Sequence, residues 1–117
     1  YIFKDNLILL KLSSLDFSFM VEQNISKIFK ELHDSKMKVD VIQNSAISFS
    51  VCFFDKYGNL NDLISRLEGK FKIEINKNVS LFTIRHFDEK SIKKISHKRK
   101  LLLEQRTEKT VRLIFSN

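Results

Sequence analysis

The side chains best able to do chemistry in this 117-residue chain are three histidines, one cysteine and a cluster of lysines and arginines near the C-terminal end. Nucleophilic catalysis needs a base held beside a Ser, Cys or Thr. His33, His86 and His97 fall on a helix flank, a strand and a basic loop, with no spacing that assembles a triad. Cys52 sits inside an alternating strand and reads as a packed, inert thiol. A zinc site draws on several Cys and His ligands, and only one Cys is available. Gly58 and Gly69 are the only glycines, so there is no phosphate-cradling loop and no dinucleotide fingerprint. No catalytic residue, metal ligand or cofactor is therefore expected. The stretch KKISHKRK, Lys93 to Lys100, could touch phosphate or an acidic surface. Its preferred reading is a solvated helix end and strand start.

The elements that position these groups follow from the spacing of apolar residues. NLILLKL, Asn6 to Leu12, is apolar on both sides, as in a strand buried on both faces. Val21, Ile25, Ile28, Phe29 and Leu32 line one face of a helix expected from about Phe19 to Ser35. Two strands, Lys38 to Gln43 and Ala46 to Phe54, are joined at Asn44 and Ser45 as an antiparallel hairpin. In the second strand Ile47, Phe49, Val51 and Phe53 face one way, and Ala46, Ser48, Ser50 and Cys52 the other. A face of small side chains permits close approach by another layer, as a domain or subunit contact requires. Leu60, Leu63, Ile64 and Leu67 mark a second helix, with Asn59 expected as N-cap and Gly69 at the C-terminal end. Phe71, Ile73 and Ile75 alternate in a fourth strand. The order β-α-β-β-α-β, within residues 1–77, is α+β and ferredoxin-like.

Residues 78–117 repeat part of that plan. Another strand is expected from Asn78, a short helix capped by Asp88 carries Ile92 and Ile95, and Lys98 to Arg106 with Lys109 to Phe115 form a second hairpin. The hairpins superimpose at an offset of 62 and the leading strands at 72, placing Asn6 on Asn78. This second unit, β-α-β-β, is partial, and an incomplete unit leaves apolar surface and sheet edge to be covered. Completion is expected from preceding chain, from the first unit or from another subunit.

One domain-sized chain of this length buries roughly 65% of its unfolded surface. A single cysteine makes no internal disulfide, and no apolar run approaches the roughly 20 residues that span a bilayer. A reduced cytoplasmic protein with no membrane partner is expected. Tyr1 in place of Met suggests a fragment of a longer protein. The formal charge of +7 is unevenly spread: residues 1–76 hold 10 basic and 10 acidic side chains, residues 77–117 hold 11 and 4. The same βαββαβ order is used by the RNA-recognition motif, and ISFSVCFF resembles its third-strand signature, in which aromatics stack on bases. The leading basic residue and glycines of that signature are absent, and the unit carrying it has no net charge to hold phosphates. Phe49 and Phe53 are expected in the core, nucleic acid is not the expected partner, and a small RNA-binding module is the alternative reading.

ISKIFKELHDSKMKVDVIQNSAISFSVCFF followed by NLNDLISRLEGKFKIEINKNVSLFTI resembles the C-terminal regulatory region of aspartate kinases, built from paired ACT domains. The shared features are the I-F in the helix, V-D-x-I at Val39, Asp40 and Ile42, and the hairpin Ser45. The resemblance implies an ACT domain at 1–77 and a partial second one at 78–117, one inserted in the other. It also implies a homodimer through ACT domains, an upstream amino-acid-kinase domain in the parent protein that performs the ATP-dependent phosphorylation of aspartate, and a small amino-acid effector of lysine or threonine type. Carried over by position, Met20, Gln23, Asn24 and Ile25 contact that effector from the loop and helix start, and Val39, Asp40, Asn44 and Ser45 from the second strand and turn. A helix start attracts a carboxylate, and a carboxylate such as that of Asp40 holds an ammonium group. Two positions depart from the family pattern. Gln23 replaces a glycine, and Ala46 replaces an acidic residue that would partner a lysine amine.

Overall fold

The computed structural model describes residues 2–16 and 19–116; Tyr1, on which the reading of the chain start rests, and Phe17, Ser18 and Asn117 lie outside the described residues. The elements follow the order β1 (Ile2–Ser14), α1 (Glu22–Asp34), β2 (Lys38–Asn44), β3 (Ser48–Phe54), α2 (Leu60–Leu67), β4 (Phe71–Arg85), α3 (Glu89–Ser96), β5 (Lys100–Arg106) and β6 (Thr110–Ser116). The chain is an α+β fold that divides into two compact units. One is contiguous, Ile8–Ile75; the other is composite, Tyr1–Leu7 with Asn76–Asn117. β1 and β4 contribute residues to each.

In the contiguous unit the strand order is β2-β3-β1-β4. β1 pairs antiparallel with β3 from Ile8↔Phe53 to Ser13↔Ser48. Leu10, Leu12, Phe49, Val51 and Phe53 form one strand face, and onto it α1 packs Ile28 and Leu32 while α2 packs Leu60, Leu63 and Leu67. Each fully buried leucine, isoleucine or phenylalanine contributes about 1.5–3 kcal/mol, which makes this cluster the main stabilising element of the unit. On the other face of the strands Leu9, Val41 and Cys52 are buried, while Lys11 is exposed and Ser48 and Ser50 are half-buried. β1 is covered on both faces only around Leu9 and Leu10, since Asn6 and Lys11 of the same run are exposed.

In the composite unit the order is β1-β4-β6-β5, and β4 pairs antiparallel with β6 from Val79↔Ser116 to Arg85↔Thr110. Phe82, Ile84, Val111, Leu113 and Phe115 pack with Ile92 of α3. The start of the chain adds a strand to the composite unit, beside β4. Phe3, on that strand, lies 4.8 Å from Phe82 between ring centroids.

The duplication extends to the backbone. β2 and β3 have the same lengths as β5 and β6, each 62 residues later, and both hairpins shift register at the same place, between Val39 and Val41 and between Leu101 and Leu103. Lys36 and Lys98 turn out of their helices at φ 58 and 60, and Asn6 and Asn78 stand in their strands at φ 57 and 55. Asn tolerates that left-handed conformation better than other side chains with a Cβ.

Several local expectations are corrected. The strand ending near Asn76 and the one starting at Asn78 are a single fifteen-residue β4, because Asn78 absorbs a bend without ending the ladder. α1 starts at Glu22 rather than Phe19, and Phe19 and Val21 are exposed. The hairpin turn is longer than two residues: Ala46 and Ile47 stand outside the ladder, so Ile47 is exposed rather than on the core face. Asn59 makes no side-chain cap bond. Asp55 caps α2 instead, its two carboxylate oxygens accepting from the N–H groups of Asn59 and Leu60 at 2.9 Å each, which frees the Asn59 amide to donate to the Ser35 carbonyl. His86 follows β4, at φ 55, rather than lying within a strand.

Candidate functional site

α1 begins without a side-chain acceptor at its N-cap, because Val21 has none to offer. The Val21 carbonyl accepts from the N–H groups of Asn24 and Ile25 at 3.0 and 3.2 Å, and Asn24 Oδ1 reaches back to accept from the Val21 N–H at 3.1 Å. Ahead of those two, the helix start has N–H groups with no acceptor of the helix's own, and the dipole makes this end attractive to an anion. Just before it, the Met20 N–H donates to the Ala46 carbonyl at 2.8 Å, tying the approach to α1 to the β2–β3 turn. Between them lies a surface depression of about 650 Å³ lined by Met20, Val21, Glu22, Gln23, Ile25 and Asn44. Its wall is apolar at Met20, Val21 and Ile25 and polar at Glu22, Gln23 and Asn44. Such a lining suits a small zwitterion: a carboxylate at the helix start, an ammonium beside Glu22 or the Asn44 carbonyl, and an apolar stem between.

Of the eight positions expected to contact an effector, Met20, Gln23, Ile25 and Asn44 line this depression. Asn24 is the helix-start residue that bonds to Val21. Ser45 holds the turn, its Oγ 2.7 Å from Ser48 Oγ and accepting from the Ser48 N–H at 3.1 Å. Val39 packs against the core, and Asp40 stands half-buried at the register shift of β2. Val21 and Glu22 also line the depression and were not among the expected contacts; the sequence signal for them was their position at the first turn. A carboxylate at Glu22 favours the ammonium end of a ligand and opposes its acid end close by.

Three ion pairs lie on the helices of the contiguous unit. Lys30 meets Asp34 at 3.4 Å, and Arg66 meets Asp62 at 3.1 Å and Glu31 at 3.7 Å. The Lys27 ammonium is held below the usual lysine range chiefly by a side-chain hydrogen bond with Lys70, a like-charged neighbour. Phe49 and Phe53 are buried and present no face for stacking on bases. In the basic stretch, the Arg99 guanidinium lies 4.7 Å from the Phe82 centroid and 5.8 Å from that of Phe115, so it covers the composite core. Among the described residues no group of three His, Cys, Asp or Glu side chains could hold a metal, and no helix is long and apolar enough to cross a membrane.

No protein-family model matches the chain, and no curated protein matches it. Solved structures do. One described as a C-terminal regulatory domain of aspartate kinase from Porphyromonas gingivalis W83 superimposes with a TM-score of 0.77 at 16% identity, covering 98% of this chain and 84% of that one. Aspartate kinase from Clostridium acetobutylicum gives 0.75 at 15% identity, covering 97% of this chain and 30% of that one. Escherichia coli aspartokinase III in complex with lysine and aspartate gives 0.69 at 16% identity, covering 97% and 28%. The chain therefore has the fold of the regulatory ACT domains of aspartate kinases, and it spans under a third of the two whole kinases.

Proposed function

We propose that this chain is the amino-acid-sensing regulatory ACT region of an aspartate kinase, with one complete ACT unit within residues 1–77 and a partial one in 78–117. It is non-catalytic by itself, acts in the cytoplasm, and serves an amino-acid-kinase domain elsewhere in the parent protein. The observation that carries the reading is the depression at the start of α1, where a helix end without an N-cap side-chain acceptor, Glu22 and Asn44 converge in a fold shared with a kinase whose structure holds lysine and aspartate. The effector is a pathway amino acid of lysine or threonine type.

The geometry supports a means of control. A ligand seated there bridges the α1 start and the β2–β3 turn, two segments joined by the Met20–Ala46 bond. It favours whichever state holds them together, and a differential affinity of about 1–3 kcal/mol suffices to bias a distant domain. Phe19, Val21 and Ile47 are exposed around the same segments, which favours a homodimer that covers them. Calorimetric titration with lysine, threonine and methionine, with light scattering on the same samples, tests the proposal. Saturable heat with one of the three is expected. Silence from all three, with no shift in melting temperature, contradicts an amino-acid-sensing role.

A further inference from the structure

We infer, building on the reading of the α1 depression as a ligand site, that the corresponding place in the composite unit is closed by the chain's own Asp88 and Arg106. The duplicated framework then offers one small-molecule site rather than two. The 62-residue repeat places Arg106 at the position of Asn44 and Thr107 at that of Ser45. Thr107 reproduces the turn, its N–H donating to the Thr110 carbonyl at 2.8 Å as Ser45 donates to Ser48 at 2.9 Å. The His86 N–H donates to the Lys109 carbonyl at 2.6 Å, so the approach to α3 is also tied to its hairpin turn, one residue out of register with the Met20–Ala46 bond at each end. A related frame, with the same turn and a similar tie, is thus present in the composite unit.

Its contents differ. α3 has eight residues against thirteen in α1, and its approach, His86 to Asp88, is short enough to bring Phe87 and Glu89 to the end of β5. There the Arg106 guanidinium donates from Nη1 to Glu89 Oε1 at 2.8 Å, from Nε to Glu104 Oε2 at 3.0 Å and from Nη2 to Glu104 Oε1 at 3.3 Å. It also lies 5.4 Å from the Phe87 centroid. At the helix start, where Val21 offers α1 no acceptor, Asp88 Oδ1 accepts from the Ser91 N–H at 2.7 Å. A carboxylate occupies the helix end and a cation the opposite wall, the two charges an amino acid would bring. The Glu89 carboxyl is held below its ordinary range chiefly by the hydrogen bond from Arg106, in keeping with an occupied cation seat.

The test is amide chemical-shift titration of wild type and Arg106→Asn, which installs the residue of the equivalent position, with methylguanidinium against a sodium chloride control. In the variant the signals of Phe87, Glu89 and Glu104 shift saturably, with half-saturation at least tenfold lower than in wild type. Equal responses, no specific shift in the variant, or failure of both Arg106→Asn and Arg106→Gln to fold overturns the inference, the last because Arg106 is then a structural strut. Lysine, threonine and methionine are titrated separately on the same samples. Silence at Gln23 and Asn44 removes the reading of the α1 depression while leaving the Arg106 result to stand alone.

Discussion

Met20 donates its backbone N–H to the carbonyl of Ala46 at 2.8 Å, and this bond sets the approach to α1 beside the turn that carries Asn44. The exposed Ala46 side chain stands at the same turn. Ala46→Glu supplies an acid where the chain has only a methyl group, and it is expected to raise affinity for lysine about tenfold, or ~1.4 kcal/mol, with no gain for threonine. Asn44→Leu is expected to weaken binding of whichever amino acid the wild type takes. Parallel calorimetric titrations of the three proteins measure both effects.

Leu63 is fully buried where α2 packs on β1 and β3. Leu63→Ala is expected to cost about 2–5 kcal/mol, from lost burial plus the cavity left behind. A urea titration followed by circular dichroism reads this as a lower midpoint at unchanged slope. A loss below about 1 kcal/mol would mean that α2 contributes little to the contiguous core.

Asn78 keeps β4 continuous while standing at φ 55. Asn78→Val forces a β-branched side chain into the left-handed region and is expected to destabilise by about 1–3 kcal/mol, whereas Asn78→Gly is expected to be tolerated. The same pair at Asn6, at φ 57, is expected to behave alike, and thermal melts of the four variants compare them.

Acid is expected to weaken the start of α3 in particular. The Asp88 carboxyl is held below its ordinary range by the Ser91 N–H, and that of Glu89 chiefly by the hydrogen bond from Arg106, with Lys93 adding to the effect. Both groups bind protons less readily folded than unfolded. Their contribution is complete above the ordinary carboxylate range near pH 4 and is lost as pH falls through the lower folded values. Asp88→Ala should therefore lower the melting temperature at pH 7 and make little difference near pH 2. An equal effect at both would assign Asp88 a role other than capping.

Much of the fold was legible because its signals are local. The alternation of Phe49, Val51 and Phe53 and the helical spacing of Leu60, Leu63 and Leu67 depend on residues close in sequence, and the 62-residue offset compares two such local patterns, hairpins that share their turn and bulge positions. What was not legible depends on partners far apart or on backbone geometry. Asp55 replaces Asn59 as the α2 cap because a five-residue loop folds back, which no single-position preference announces. The joining of two expected strands into β4 rests on one tolerated dihedral at Asn78. Of the candidate site, the helix start and Asn44 were expected from a family resemblance. The place of Arg106 between Glu89 and Glu104 was not, because it follows from a loop length that brings residues 17 positions apart into contact.

Whether the α1 start and the β2–β3 turn together hold an amino acid is decided by mapping amide shifts on adding lysine, threonine or methionine in turn. One of them is expected to move the signals of Gln23, Asn24, Ile25, Asn44 and Ser45 in a saturable way while Thr107 stays still. Shifts confined to other parts of the chain, or none with any of the three, would contradict it.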